Sequence, residues 1–331
     1  MHESFCFRGP LEYNALMFKE VHNNLQDWYA QYGRHHLPWR KTDDAYAIYI
    51  SEIMLQQTQV STVLERFYFP FLEAFPTVED LANANLDDVL KKWEGLGYYR
   101  RARNMHEAVQ KVSPEMPKTV EGLMQMKGVG QSTAHAVASF AYKTEVPILD
   151  ANVKRILYRV FARTKASDKE LWEMAYKFFD RRHPYEFNQA LMDIGSTICT
   201  KKPQCNICPL DHSCLASDLN PLDYPAKKIK KIVPVREKSM MIYQQGKKIA
   251  LEKREGEFLH GLWGLPQLEL HEAEGGLLGE IVHKYTHFHL HAKVYTKEKK
   301  LQNMDYFTFK EIESLALSTA DYKALELYKA C

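Results

Sequence analysis

No stretch of the chain is apolar for the roughly 20 residues that a membrane-spanning helix needs, so the sequence offers no candidate span. Charge of one sign is equally scarce. The 44 Lys and Arg nearly balance 42 Asp and Glu, for a net charge of +2, so any nucleic-acid footprint must come from local basic patches. The first residues, MHESFCFRGPLEYN, lack the basic and apolar regions of a secretory signal. Cysteine is sparse: six in all, four of them between Cys199 and Cys214. That clustering argues against a disulfide framework and for metal ligands in a reducing, cytoplasmic setting. Cys6 and Cys331 receive no role. No repeat of solenoid length is visible, and period-2 alternation is rare before about residue 200. What the chain does have is 45% hydrophobic residues in a length of 331, enough for two domains with cores.

The first region reads as all-α. Leu11 to Tyr32 is an amphipathic helix with Leu16, Val21 and Leu25 on its apolar side and Gly33 as its stop. Leu37-Pro38-Trp39-Arg40 follows as an extended, aromatic and basic corner. A second helix starts near Asp43 or Asp44, either of which is a good cap. Its stripe is Tyr46, Tyr49, Ile50, Ile53 and Met54. Glu52 lies about 200° from Ile50 at 100° per residue, off that stripe, where a solvated carboxylate is the ordinary expectation. Gln56, Gln57, Thr58 and Gln59 end the helix with side chains able to bond base edges or simply to face water. Thr77 to Asp80 forms a capping box, and Asn85 is placed to cap the next helix. Gly95-Leu96-Gly97-Tyr98-Tyr99 breaks the pattern just before Arg100, Arg101 and Arg103. Such a mixture suits base stacking and phosphate contact, or a buried Tyr pair on a charged helix.

The stretch from Leu123 to Arg155 is the most informative. Gly128-Val129-Gly130 is a tight turn between two helical patterns, the second carrying Ala134, Val137, Ala138 and Ala141 on one face. A glycine turn at a helix N-terminus can admit a phosphate, or it can be only a turn. Pro147-Ile148-Leu149 then ends in Asp150, just before a helix that starts near Asn152. Asp150 can cap that helix or act in a pocket. Phe187 to Cys199 is the last long helix. Cys199, Cys205, Cys208 and Cys214 follow with spacings of five, two and five residues. Four thiolates in so short a loop converge on one metal centre, and their spacing does not separate zinc from an iron–sulfur cluster.

Residues 221–238 are rich in proline and lysine and read as a linker. Beyond them the period changes. Met240 to Glu252 is a hairpin turning at Gln245-Gly246. Phe288, Leu290, Ala292 and Val294 alternate strictly with His289, His291 and Lys293. The tail from Ser318 is a closing helix. Residues 239–331 thus form a small α+β domain.

The segments SEIMLQQTQV, GLGYYRRARN, KGVGQSTA, ILDANVKR, FNQALMDIG and the cysteine cluster occur in this order. Together they resemble the MutY-type adenine DNA glycosylases of the helix-hairpin-helix superfamily, closely over about residues 20–215 and more loosely beyond. The resemblance implies a six-helix barrel at about 41–147. It also implies an iron–sulfur module built from 11–40 and 148–220, and a Nudix-like 8-oxoguanine-recognition domain at 239–331. It implies excision of adenine opposite 8-oxoguanine or guanine in double-stranded DNA, one [4Fe–4S] cluster on the four cysteines, and a monomer.

Residue by residue, Glu52 would protonate adenine and then activate water, Asp150 would stabilise the sugar cation, and Asn152 would support both. Trp39, Arg40 and Gln189 would line the adenine pocket. Gln57 and Tyr98 would wedge into the stack, beside Gln56 and Thr58. Gly128, Val129, Gly130 and Ser132 would meet a backbone phosphate. The related bifunctional enzymes carry a nucleophilic lysine where this chain has Ser132, so strand cleavage is not expected, with Lys127 as a nearby lysine that could complicate this. Tyr285-Thr286-His287 stands where the family usually has Phe-Ser-His against 8-oxoguanine; without the family it would read as an ordinary strand start. Ala151 replaces the usual glycine, and the first cysteine interval is one residue short. The rivals are a bifunctional glycosylase/lyase, a thymine-mismatch glycosylase and a non-catalytic DNA-binding module.

Overall fold

Side chains that cap helix ends punctuate the first half of the chain, and helices follow them. The computed structural model describes residues 15–227, 232–302 and 304–330. Its helices before residue 200 are α1 (Ala15–Tyr32), α2 (Ala45–Leu55), α3 (Val60–Arg66), α4 (Tyr68–Ala74), α5 (Val78–Asn83), α6 (Leu86–Lys92), α7 (Arg100–Val112), α8 (Val120–Met124), α9 (Gln131–Tyr142), α10 (Ala151–Val160), α11 (Asp168–Phe178) and α12 (Pro184–Thr197). The region expected as a six-helix barrel therefore contains eight helical segments, α2 to α9. The start placed at Leu11 for the first helix lies outside the described residues. Thr77 and Asp80 form the capping box read from the sequence, and Ser167 with Glu170 forms another. Asn85 does occupy the cap position of α6, but its side chain makes no capping bond there.

The chain divides into two units, with the division falling at the end of Glu52 inside α2. One unit takes the chain up to Glu52 and the stretch from Met116 through the cysteine cluster; the other takes Ile53–Glu115 and the C-terminal residues.

The first unit is held by an apolar seam on α1, α10, α11 and α12. Val153, Ile156, Leu157 and Val160 repeat at helical spacing on α10 and are buried against Val21 and Leu25 of α1, Leu171 and Phe178 of α11, and Leu191 and Ile194 of α12. One charge interrupts the seam. Asp193 of α12 is fully buried and accepts both Arg40 guanidinium nitrogens at 2.7 Å and the Arg34 backbone N–H at 2.9 Å. Burial opposes its charge, but the hydrogen bonds and positive charges of Arg40 and Arg34 outweigh that and hold the carboxyl below its ordinary range.

In the second unit, Trp93, Phe71, Leu81, Leu90, Met105 and Val109 are buried among α4 to α7. The C-terminal part forms a seven-stranded sheet: β1 (Val235–Gln245), β2 (Lys248–Lys253), β3 (Trp263–Gly264), β4 (Gln267–Leu268), β5 (Gly276–Lys284), β6 (His289–Glu298) and β7 (Asp305–Phe307). The main path runs β3-β2-β1-β6-β5, and the central β1–β6 pair is parallel. Leu290, Ala292 and Val294 are buried with Ala320, Ala324 and Leu325 of the closing helix α14 (Thr319–Lys329), which follows the short α13 (Phe309–Ile312). Two sequence readings change. Residues 235–238, assigned to the linker, are the first residues of β1, because their backbone pairs with β6 from Val235 onward. Tyr285-Thr286-His287 does not begin a strand; it is the turn between β5 and β6, closed by Tyr285 N–H to the Phe288 carbonyl at 2.9 Å.

Within this unit Glu94, two residues past α6, binds the C-terminal part. Its carboxylate accepts the Leu317 N–H at 2.8 Å and the Tyr322 hydroxyl at 2.9 Å. Lys91 donates to Glu94 at 2.7 Å and to the Leu315 carbonyl at 2.9 Å. Replacing Glu94 by Ala strands the Leu317 N–H and should cost about 1–3 kcal/mol. Urea unfolding followed by tryptophan fluorescence checks this; an unchanged midpoint means the carboxylate contributes nothing to the docking.

Candidate active site

Two carboxyl groups read from the sequence as possible partners are brought together in the first unit. Glu52 comes from the last turns of α2, whose residues Tyr49 and Ile50 are fully buried. Asp150 is the N-cap of α10: its Oδ1 accepts the Val153 N–H at 2.7 Å, and its Oδ2 accepts Asn152 Nδ2 at 3.2 Å. Both side chains are half-buried rather than solvated. Burial lifts the Glu52 pKa to about 7; the Asp150 carboxylate adds to the rise, and the Arg40 charge works against it. Burial raises Asp150 as well, but the α10 N–H groups, the Asn152 amide and the Arg155 charge all favour its ionised form. These effects oppose the rise without cancelling it, so the pKa values of both carboxyls stand above their ordinary ones. The ordinary expectations, a solvated Glu52 and a merely capping Asp150, both give way: Asp150 caps a helix and also acts on its neighbour.

Behind Asp150 runs a chain of hydrogen bonds. Arg155 Nη2 donates to Asn152 Oδ1 at 3.0 Å and also to the Gly195 carbonyl. Arg155 Nε donates to the Cys199 carbonyl at 2.7 Å. Gly195 is needed for this approach, because a Cβ placed on it would lie 2.5 Å from Asn152 Cβ. Trp39 and Gln189 are buried in the same unit. Arg40 is fixed by Asp193, and its carbonyl accepts the Tyr185 hydroxyl at 3.3 Å. A cavity of about 470 Å³ borders Tyr29, His35, Arg40 and Tyr185, but neither Glu52 nor Asp150 lines it.

The four cysteines line one narrow cavity of about 20 Å³ together with Ile156, Arg159 and Ile198. Arg159 Nη1 donates to Cys199 Sγ at 3.1 Å. Burial pushes the Cys208 and Cys214 thiols up to about 12. Among the described residues no group of three or more His, Cys, Asp or Glu is arranged to hold a single metal ion. The donor chemistry itself, four soft sulfurs around one space with an arginine beside one of them, fits a thiolate-ligated metal centre.

The hairpin forms as read. Gly128 has φ 83°, Gly130 is the N-cap of α9 with open space around its Cα, and Ser132 lies in the first helical turn. Val129 is the exception among the residues expected to meet phosphate. Its side chain is buried and its N–H is taken by the Met126 carbonyl at 3.0 Å, so it anchors the turn from inside.

In the second unit, Gln56, Gln57 and Thr58 form the turn after α2, with Gln57 at φ 59°. Tyr98 has φ 51° and is 41% exposed, while Tyr99 is buried. The Thr286 hydroxyl stands 3.5 Å from the Tyr98 hydroxyl. Phe258 packs edge-on against Tyr285 and His287. Sequence reading missed Asp193, Arg155 and Phe258, and read Arg101 only as a possible phosphate contact. Asp193 had a visible signal, a lone carboxylate within the buried run Ala190-Leu191-Met192-Asp193-Ile194; the others depended on contacts distant in sequence.

Comparison with known proteins sets this geometry in a class. Residues 50–180 match the HhH-GPD superfamily of base excision DNA repair proteins, and residues 239–327 match the NUDIX domain. A thermostable thymine-DNA glycosylase of known structure superposes with a TM-score of 0.55 at 26% identity, over 60% of this chain and 97% of that one. The adenine DNA glycosylase of Buchnera aphidicola subsp. Schizaphis graminum is 32% identical, over 92% of this chain and 97% of its own. That of Homo sapiens is 31% identical, over 98% and 76%. The chain belongs to the adenine DNA glycosylase family.

The packing of Gly195 on Asn152 yields a test. Gly195→Ala should displace Asn152 and loosen Asp150, lowering single-turnover base release at least tenfold. Wild-type turnover with an unchanged melting temperature would show that the Asn152 contact does not hold the site.

Proposed function

We propose that the chain excises adenine paired with 8-oxoguanine, and with guanine, from double-stranded DNA, and that it does so without cleaving the strand. The observation that carries this reading is the pairing of two partly buried carboxyls, Glu52 near the end of α2 and Asp150 at the N-cap of α10. Hydrolysis of an N-glycosidic bond needs a proton donor for the leaving base and a negative group for the oxocarbenium-like sugar. Glu52, whose pKa burial lifts to about 7, supplies the proton, and Asp150, whose oxygens accept the Val153 N–H and the Asn152 amide, supplies the negative group. Glu52 donates its proton to N7 of the flipped adenine, the bond from C1′ to the base breaks, and Asp150 stabilises the cation. Glu52, now a carboxylate, accepts a proton from the water that adds to C1′. Trp39, Arg40 and Gln189 receive the flipped base, which must leave the stack to be reached.

The bond breaks without a covalent amine because position 132 is Ser, which forms no Schiff base. Phosphate grip comes from the Gly128–Gly130 turn and the α9 N-terminus. Gln57 and Tyr98 fill the stack, and Thr286 and His287 face 8-oxoguanine from the C-terminal domain. Cys199, Cys205, Cys208 and Cys214 hold a [4Fe–4S] cluster whose contribution is to fix the surrounding loop rather than to react.

Base release should fall about tenfold per unit above pH 7, as Glu52 loses its proton, and should fall again in acid, where Asp150 takes one up. Glu52→Gln should lower release by roughly 10²- to 10⁴-fold. Stability moves oppositely. The fold raises the Glu52 pKa, so wild type binds its extra proton between pH 4.5 and about 7 and loses stability as pH rises through that window. Glu52→Gln should therefore be more stable than wild type at pH 8, by up to roughly 3 kcal/mol at about 1.4 kcal/mol per pKa unit, with the gap closing near pH 4.5. A pH-independent rate in wild type contradicts this assignment.

Single-turnover assays on 8-oxoguanine:A, G:A, T:A and thymine glycol:A duplexes test specificity. Fast release of adenine opposite 8-oxoguanine, with breaks only after alkali, is expected. Breaks without alkali overturn the monofunctional reading; binding without release makes the chain a DNA-binding module.

A further inference from the structure

We propose that Arg101 is a positioning residue that joins the Gln57 and Tyr98 turns into one preorganised wedge. Arg101 lies in the first turn of α7. Its Nη1 donates to the carbonyls of Ile53 at 2.8 Å, Met54 at 2.9 Å and Gln56 at 2.6 Å. Its Nη2 donates to Thr58 Oγ1 at 3.2 Å and to the Gly97 carbonyl at 3.2 Å. The guanidinium carbon stands 5.3 Å from the ring centres of both Trp93 and Tyr98, and Trp93 Nε1 also donates to the Gly97 carbonyl at 3.0 Å. Carbonyls, one hydroxyl and two aromatic faces make up these contacts; no carboxylate of the described residues pairs with the group.

This arrangement has a physical reason. The last carbonyls of α2 lack helical partners and carry the negative end of the helix dipole, so a cation there is favoured. Gln57 and Tyr98 both hold left-handed backbone, at φ 59° and 51°, which residues with a Cβ rarely adopt. Arg101 grips each of them on its flanks: Gln56 and Thr58 around Gln57, and Gly97 beside Tyr98, with the Tyr98 ring stacked on the guanidinium. Two turns some forty residues apart are thereby ordered before DNA arrives, which removes the entropy loss of ordering them on binding. Lysine cannot replace this fork, having one nitrogen and no plane to stack.

The proposal rests on the reading of Gln57 and Tyr98 as groups that enter the base stack, and a mutant cycle separates the two. Full-length wild type, Arg101→Lys, the double variant Gln57→Ala/Tyr98→Ala and the triple variant are compared by affinity for an uncleavable 8-oxoguanine:A duplex. Fluorescence of a 2-aminopurine next to the mismatched adenine reports unstacking. Circular dichroism and melting temperature identify folded protein. Arg101→Lys should weaken binding about tenfold and abolish the fluorescence rise. In the triple variant it should add less than twofold to the loss already caused by the double variant. An effect that multiplies on the double variant, or none in wild type, overturns the proposal. A double variant that unstacks like wild type instead removes the wedge reading, and the proposal with it. If Arg101→Lys does not fold, Trp93→Phe, which removes one donor to Gly97 and changes the stack, takes its place in the cycle with the same non-additivity expected.

Discussion

Holding two carboxyls side by side and partly out of water is the constraint on which the rest of the first unit depends. Desolvation alone would raise both pKa values. The N-terminus of α10, with its free N–H groups and dipole, works against the rise at Asp150, whereas the Asp150 charge adds to the rise at Glu52. The apolar seam of α1, α10, α11 and α12 fixes α10 against its neighbours, and so fixes where Asp150 points. Asn152, Arg155 and the Cys199 carbonyl extend that support toward the cysteine loop. The start of this loop and the Asn152 amide behind Asp150 thus share one guanidinium.

Buried arginines recur as the device that makes this molecule specific. Arg40 is held by Asp193 and in turn moderates Glu52. Arg159 reaches Cys199 Sγ and the Thr200 carbonyl. Arg101 donates to four backbone carbonyls and the Thr58 hydroxyl across two turns. Each has a planar fork with several donors: Arg40 pairs with a carboxylate, while Arg159 and Arg101 satisfy carbonyls that would otherwise be stranded where loops meet helices. Breaking one such centre leaves several acceptors unsatisfied at once, which makes these positions more sensitive than surface ion pairs such as Lys111–Glu107.

Much of the fold was legible because it is local. The Thr77–Asp80 box, the Gly128 turn, the β1–β2 hairpin at Gly246 and the alternation of β6 each follow from a few neighbouring residues, and the structure contains all of them. Asn85 shows the limit: a good capping residue at the right position forms no capping bond. The parallel pairing that draws residues 235–238 into β1 was not legible, since it depends on a partner more than fifty residues away. At the site, Glu52 and Asp150 were both visible as residue types, but their encounter was not, because it joins α2 to the start of α10. The inward side chain of Val129 was not legible for a related reason: whether a turn residue faces outward depends on the core beneath it. The 8-oxoguanine loop was found only through its family, for Tyr285-Thr286-His287 has no pattern of its own.

The most direct test of the central claim is a ¹³C-carboxyl NMR titration of wild-type protein, with Glu52→Gln and Asp150→Asn used to assign the two signals. The account predicts that the Glu52 signal titrates near pH 7 while Asp150 is already ionised there. A Glu52 that titrates at its ordinary carboxylate value, or an Asp150 that holds the proton instead, would contradict it.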